Sequence, residues 1–199
     1  MRVLGIDPGT RYTGYGVVEQ RGRHLAHVGH GVIRLDARAA LEQRLEAIFR
    51  GLREAAELYR PDEVAVEGVF TFKNARSALV LGHARGVALL VAAQRELPVH
   101  EYPPAQVKKS VGAGGGADKD GVSRMVRVFL GLPDVDRRAD ASDALAVAIC
   151  HLNHAQRARV PRARPRSRTQ GARAFAALAD RLRPAFQGPP LHRAMEDQE

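Results

Sequence analysis

Within its first 35 residues the chain carries three strand-like runs, RVLGID, TGYGVVE and HLAHVGHGVI, with turn signals at PGT and RGR between them. Connections this short leave no room for a crossover, so the runs can pair only as an antiparallel meander. Further strands must then arrive through helices, and such a crossover lays the next strand parallel to the first.

The rest of the pattern supplies those helices. From about 38 to 58, ARAALEQRLEAIFRGLREAAEL sets Leu41, Leu45, Ile48, Phe49 and Leu52 at helical spacing, with charges on the other side. Pro61 ends this helix and opens a fourth strand, EVAVEG. A second helix is expected from near Ala75 to Arg95, followed by a fifth strand in LPVHEY. The middle of that helix, SALVLGHARGVALLVAA, is apolar or small nearly all round, which predicts cover on both sides: the sheet on one, another surface such as a second subunit on the other. PPAQVKKS reads as a short helix, and GAGGGAD as a connection that lacks the GK[ST] ending of a phosphate-cradling loop. Two more helices are expected, from about Asp118 to Leu130 and from about Arg138 to His154. The sum is an α/β fold: a mixed five-stranded sheet, three antiparallel strands then parallel additions, with helices on both faces.

Beyond about 155 the run RARVPRARPRSRTQ has no apolar periodicity and is expected to be disordered on its own, with Phe175, Leu178 and Leu182 as one face of a short helix further on. The expected division is therefore a folded domain over residues 1–154 and a basic Arg/Pro-rich extension over 155–199.

Composition narrows the class. With 199 residues, 45% of them hydrophobic, the chain can bury a sizeable core. Its longest apolar runs fall short of the roughly 18 to 20 residues that span a bilayer, and the N-terminus lacks a signal-peptide layout. The expected location is the cytoplasm, with no membrane partner. Cys150 is the single cysteine, which excludes an internal disulfide and thiol-rich metal sites; inside ALAVAIC it reads as buried filler. The net charge of +9 suggests a polyanionic partner. Most of the excess lies in the extension: residues 1–154 hold 21 Lys+Arg against 18 Asp+Glu, and residues 155–199 hold 10 against 4.

The acidic residues carry the chemistry. Asp7 and Glu67 each end an apolar strand before a turn, and parallel first and fourth strands would bring both to one edge of the sheet. Asp140 and Asp143, three apart in RRADASDALAVAI, face the same way near a helix N-terminus. Taken singly, Asp7 suits turn chemistry and the two later aspartates suit the helix dipole. Glu67 has no such role, and a glutamate closing VAVE costs burial energy. Four converging carboxylates repel unless cations neutralise them, and oxygen-only donors favour Mg²⁺ or Mn²⁺ over zinc. Two such ions roughly 4 Å apart can activate water and stabilise the leaving oxygen of a phosphodiester. By contrast, His151 and His154 at i, i+3 read as a solvated helix end, and His24, His27 and His30 as lining one face of the third strand.

The stretches LGIDPGTRYTGYGVVE, VAVEGVFTFKNARSALVLGHARGVAL, EYPPAQVKKSVGAGGGADKDGV and ADASDALAVAI resemble, in the same order, the motifs of the RuvC family of Holliday-junction endonucleases, over roughly residues 1–154. The resemblance implies a ribonuclease H-like fold, a homodimer, and two divalent metals per subunit, Mg²⁺ with Mn²⁺ as the alternative. It also implies paired symmetric nicks in a four-way DNA junction during recombination and repair. Asp7, Glu67, Asp140 and Asp143 match the family's catalytic and metal-holding acids. Phe70, in GVF, matches the aromatic set against junction bases, and Lys108 and Lys119 match positions that hold the phosphate backbone. Without the resemblance, Phe70 reads as core and the two lysines as solvated charges. Lys73, Asn74 and Arg76 follow just beyond Glu67, at the mouth of the proposed site, and read as phosphate contacts or helix caps. A branch-migration complex of the RuvA and RuvB type is the implied partner, and the nucleoid the implied place of action.

Three rivals remain to be weighed. A sugar-kinase or actin-like phosphotransferase shares an Asp-x-Gly-Thr turn, here DPGT, but needs a second domain and has no use for Asp140 and Asp143. Another nuclease on the same fold, acting on RNA–DNA hybrids or structured RNA, would lack the motifs that flank Glu67. A non-catalytic junction-binding module would tolerate loss of the acids and bind better without them.

Overall fold

The computed structural model describes residues 1–68, 75–112, 119–132 and 139–159. The chain divides into two units, Met1–Val160 and Pro161–Glu199, and all described residues belong to the first. Strands β1 (Arg2–Asp7), β2 (Tyr12–Arg21) and β3 (His24–Arg34) form the antiparallel meander. After helix α1 (Leu41–Tyr59), β4 (Glu63–Glu67) joins β1 in parallel. After α2 (Ala75–Gln94), β5 (Val99–Tyr102) joins β4 in parallel. The sheet order is β3-β2-β1-β4-β5, and α3 (Pro104–Ser110), α4 (Lys119–Leu130) and α5 (Ala139–Arg159) complete the unit.

Strand alternation splits the interior into two cores. Leu4, Ile6, Val17, Val64 and Val66 pack with Ile48 and Leu52 of α1 and with Ala84, Ala88 and Val91 of α2. Val3, Val18 and Ala65 pack on the other face with Val107 of α3, Val122 and Val126 of α4, and Leu145, Ile149 and Cys150 of α5. Cys150 is thus buried filler, as its setting in ALAVAIC suggests.

Helix α5 lies unusually close to the sheet, and glycines permit it. A Cβ on Gly5 would fall on the carbonyl oxygen of Ala144, one on Gly14 would fall on that of Asp140, and one on Gly16 would come within 2.7 Å of the Leu145 side chain. The side-chain-free stripe on β1 and β2 therefore sets both the height and the register of α5.

Several elements depart from the sequence expectation. Helix α1 starts at Leu41 rather than near 38, because Asp36 Oδ1 accepts the Arg38 N–H at 2.8 Å and closes a turn ahead of it. Helix α5 continues to Arg159, so His151 lies mid-helix over the sheet; it is 3% exposed, not a solvated end. A bulge between the partners of Val17 and Val18 changes the parity of β3, bringing His27 and His30 within 2.8 Å of each other and leaving His24 on the opposite face.

Among the described residues, helix α2 is covered on one side only. The stretch Ser77–Gln94 is long and apolar enough to cross a membrane by composition, yet its Ala84, Ala88, Val91 and Ala92 pack in a core and Arg85 donates to Glu101 of β5. Its outer face leaves Leu79 65% and Leu90 50% exposed, with open space in front of Gly82 and Gly86. The expectations for the glycine-rich stretch 113–118 and for the extension beyond 159 lie outside the described residues.

Candidate active site

Two parallel strands and one helix N-terminus build the site. Asp7 has the parity of Val3, and Glu67 that of Ala65, so both carboxylates face α5. Ile6 is in register with Val66, which brings the two strand ends out side by side. Asp7 is also paired with Gly14, the residue against which the Asp140 backbone rests, so the first turn of α5 is brought to that same edge. Asp143, one turn further on, shares its face. The turn after β1 is held from outside: Arg44 of α1 donates to the Thr10 carbonyl oxygen, and the Gly9 N–H lies 3.5 Å from Thr13 Oγ1.

The electrostatics follow from this convergence. The Asp7 carboxyl is held well above the usual carboxylate range, first by burial, then by the charge of Glu67 and a hydrogen bond to its side chain, with Asp143 and Asp140 adding to it. A hydrogen bond between two carboxyl groups requires that one of them carry a proton. Among the described residues no three of these four acids bring oxygens within 4.8 Å of one another; the only such ligand group is Glu63, His100 and His151, at the other end of β4. An oxygen-only donor set whose members resist ionising together is what a hard divalent cation neutralises, so the residues present fit Mg²⁺ or Mn²⁺.

The other sequence candidates are spread more widely. Lys108 is partly buried in the last turn of α3. Arg76 and Lys119 are placed by backbone only, in the first turn of α2 and at the first position of α4. Phe70, Lys73 and Asn74 lie outside the described residues. Sequence reasoning missed Arg44 as the anchor of the DPGT turn, and the Glu63–His100–His151 group. Only the shared parity of Glu63 and Glu67 hinted at the latter.

The family model described as crossover junction endodeoxyribonuclease RuvC matches residues 3–151. The chain belongs to the RuvC family. A RuvC from Myxococcus xanthus (strain DK1622) is 62% identical over 190 residues, covering 95% of this chain and 98% of that protein. The Thermus thermophilus RuvC, solved in complex with a Holliday junction substrate, superposes with a TM-score of 0.72 at 32% identity, covering 79% of this chain and 96% of that one. The yeast mitochondrial Holliday junction resolvase Ydc2 reaches a TM-score of 0.53 at 15% identity, which speaks for the fold alone. RuvC nucleases share the ribonuclease H-like architecture described above and are metal-dependent.

Proposed function

We propose that this chain resolves four-way DNA junctions by paired symmetric nicks, with Asp7, Glu67, Asp140 and Asp143 as the catalytic acids and metal ligands. The observation that carries the residue assignment is the contact of Asp7 with Glu67 at the edge where α5 delivers Asp140 and Asp143. Mg²⁺, two ions per subunit, is the proposed cofactor, with Mn²⁺ as a substitute; bound there, the ions would activate water and stabilise the leaving oxygen. The residues themselves hold the scissile phosphate's surroundings in place. Asp7 ends a strand paired on both sides, so its backbone is fixed by the sheet. To hold an ion as anionic ligands, Asp7 and Glu67 would have to give up the proton they share.

Phe70, Lys73, Asn74 and Arg76 are proposed as junction contacts together with Lys108 and Lys119. Phe70 follows Glu67 by three residues, so even a fully extended chain keeps it within roughly 11 Å of that acid. The proposed nuclease domain is 1–154, with 155–199 as a basic extension that adds non-specific affinity for DNA. A homodimer is proposed through the outer face of α2, which the described residues leave exposed and where Gly82 and Gly86 allow a second helix to approach closely. Two opposed sites in such a dimer match the two-fold symmetry of an open junction. A branch-migration complex of the RuvA and RuvB type is the proposed partner, in the cytoplasm at the nucleoid.

The test is cleavage of a labelled mobile four-way junction, beside matched duplex and RNA–DNA hybrid, by wild type and Asp7→Asn in Mg²⁺ or Mn²⁺. Expected are symmetric nicks on the junction alone, lost in the variant while junction binding persists. Preferential hybrid cutting would reassign the substrate, and tight binding without cleavage would make the chain a binding module.

A further inference from the structure

The alternation that turns Glu67 toward α5 at one end of β4 turns Glu63 toward α5 at the other. His100, in register with Ala65, belongs to the same face of β5 as Tyr102, and His151 descends onto both from the middle of α5. His151 lies eleven residues beyond Asp140, so along the helix the two are separated by roughly 16 Å. We propose that Glu63, His100 and His151 form a site for one Zn²⁺-class transition-metal ion, distinct from the carboxylate site.

The three donors already converge. His151 Nε2 lies 2.8 Å and His100 Nε2 2.9 Å from the same oxygen, Glu63 Oε2, and all ligand atoms fall within 4.8 Å of one another. Zinc bonds of about 2.0–2.1 Å at tetrahedral angles place donors ~3.3 Å apart, so the two histidine–Glu63 pairs need to open by only about half an ångström. Two imidazoles with one carboxylate favour Zn²⁺ and its neighbours over Mg²⁺, the reverse of the four-carboxylate set.

The surroundings supply the remaining features of a metal site. Tyr102 places its hydroxyl 2.8 Å from His151 Nδ1 and fixes the ring. Without an ion, Glu63 can only accept when ionised, so His151 Nε2–H donates to it and the Tyr102 O–H donates to Nδ1. On binding, the His151 proton moves to Nδ1 and is donated to the Tyr102 oxygen, whose own O–H turns away, and the His100 Nε2 proton shifts likewise to its Nδ1, so both Nε2 atoms are freed with no net proton change. The His151 side chain is 4% exposed and that of His100 42%, so a fourth ligand position opens to water on the His100 side. An ion there would tie β4, β5 and α5 together at the end of the sheet remote from the acids, and would stabilise the fold without taking part in strand cleavage.

The experiment is a titration of the full chain, stripped with chelator and then held in excess Mg²⁺ to occupy the carboxylates, with Co²⁺ as the spectroscopic probe. The expected result is one Co²⁺ per chain with visible ligand-field absorption, displaced by Zn²⁺, and a Tm raised by Zn²⁺. His100→Phe and Glu63→Gln should each abolish the absorption and the Tm rise while His100→Phe keeps Mg²⁺-dependent junction cleavage at the wild-type rate. An unchanged Co²⁺ signal in His100→Phe would assign the ion elsewhere, for instance to the His27–His30 pair, and overturn the proposal. So would the absence of any Co²⁺ uptake by wild type under excess Mg²⁺.

Discussion

Burial and three neighbouring carboxylates all disfavour the charged form of Asp7. Its folded-state pKa therefore lies above the ordinary value of 3.8, and the folded protein holds this proton more tightly than the unfolded chain does. The associated stability is fully present below that ordinary value and is lost as pH rises through the folded one. In chelator near neutral pH Asp7 thus contributes less to stability than it does at low pH. Asp7→Asn should then melt at a higher temperature than wild type, and the gap should close as pH falls toward the ordinary carboxylate range. Equal melting temperatures at neutral pH would refute this electrostatic account. Mg²⁺ should raise the wild-type Tm by more than that of the variant, since it relieves a repulsion the variant has already reduced. At this scale the emergence of Asp7 and Glu67 at one sheet edge was legible in the sequence, because both end apolar strands that a helical crossover lays parallel. The Glu63–His100–His151 group was not legible, because its members come from three elements and His151 follows Glu63 by 88 residues.

Helix α5 is the element that completes the proposed site, and its seating depends on what β1 and β2 lack. Gly14→Ala would drive a methyl group into the Asp140 carbonyl oxygen. Overpacking of this kind costs about 1–3 kcal/mol, and here it also lifts the helix turn that carries two of the four acids. The expected outcome is a lower Tm together with a loss of cleavage larger than the stability change explains, with junction affinity retained. Leu145→Ala, in the core beneath the same helix, should cost about 2–5 kcal/mol by leaving a cavity, measured by chemical denaturation. The helix itself was readable from its apolar run, but its close approach was not: a glycine within a strand reads equally as a bulge, a bend or a contact until the opposing backbone is seen.

As a whole molecule, the first unit presents one apolar helix face that none of the described residues covers. Placing glutamates at Leu79 and Leu90 should convert the proposed dimer to monomer in light scattering, and junctions should then be nicked on one strand at a time rather than in pairs. Wild-type protein that already runs as a monomer at working concentration would rule out this face as the interface. Removing residues 160–199, which carry eight arginines, should reduce the slope of log affinity against log salt while cleavage site choice is kept. The sequence alone determined the strand meander, the helical crossovers, the two-faced core and the family, because these rest on local periodicity, turn chemistry and contiguous motifs. Only the tertiary structure decided which carboxylates touch, which way α5 is seated, which side of α2 the described residues leave exposed, and that Glu63, His100 and His151 meet. Each of those depends on distances between residues far apart in the chain, and a one-dimensional pattern carries no information about such distances until strand register and helix height have set them.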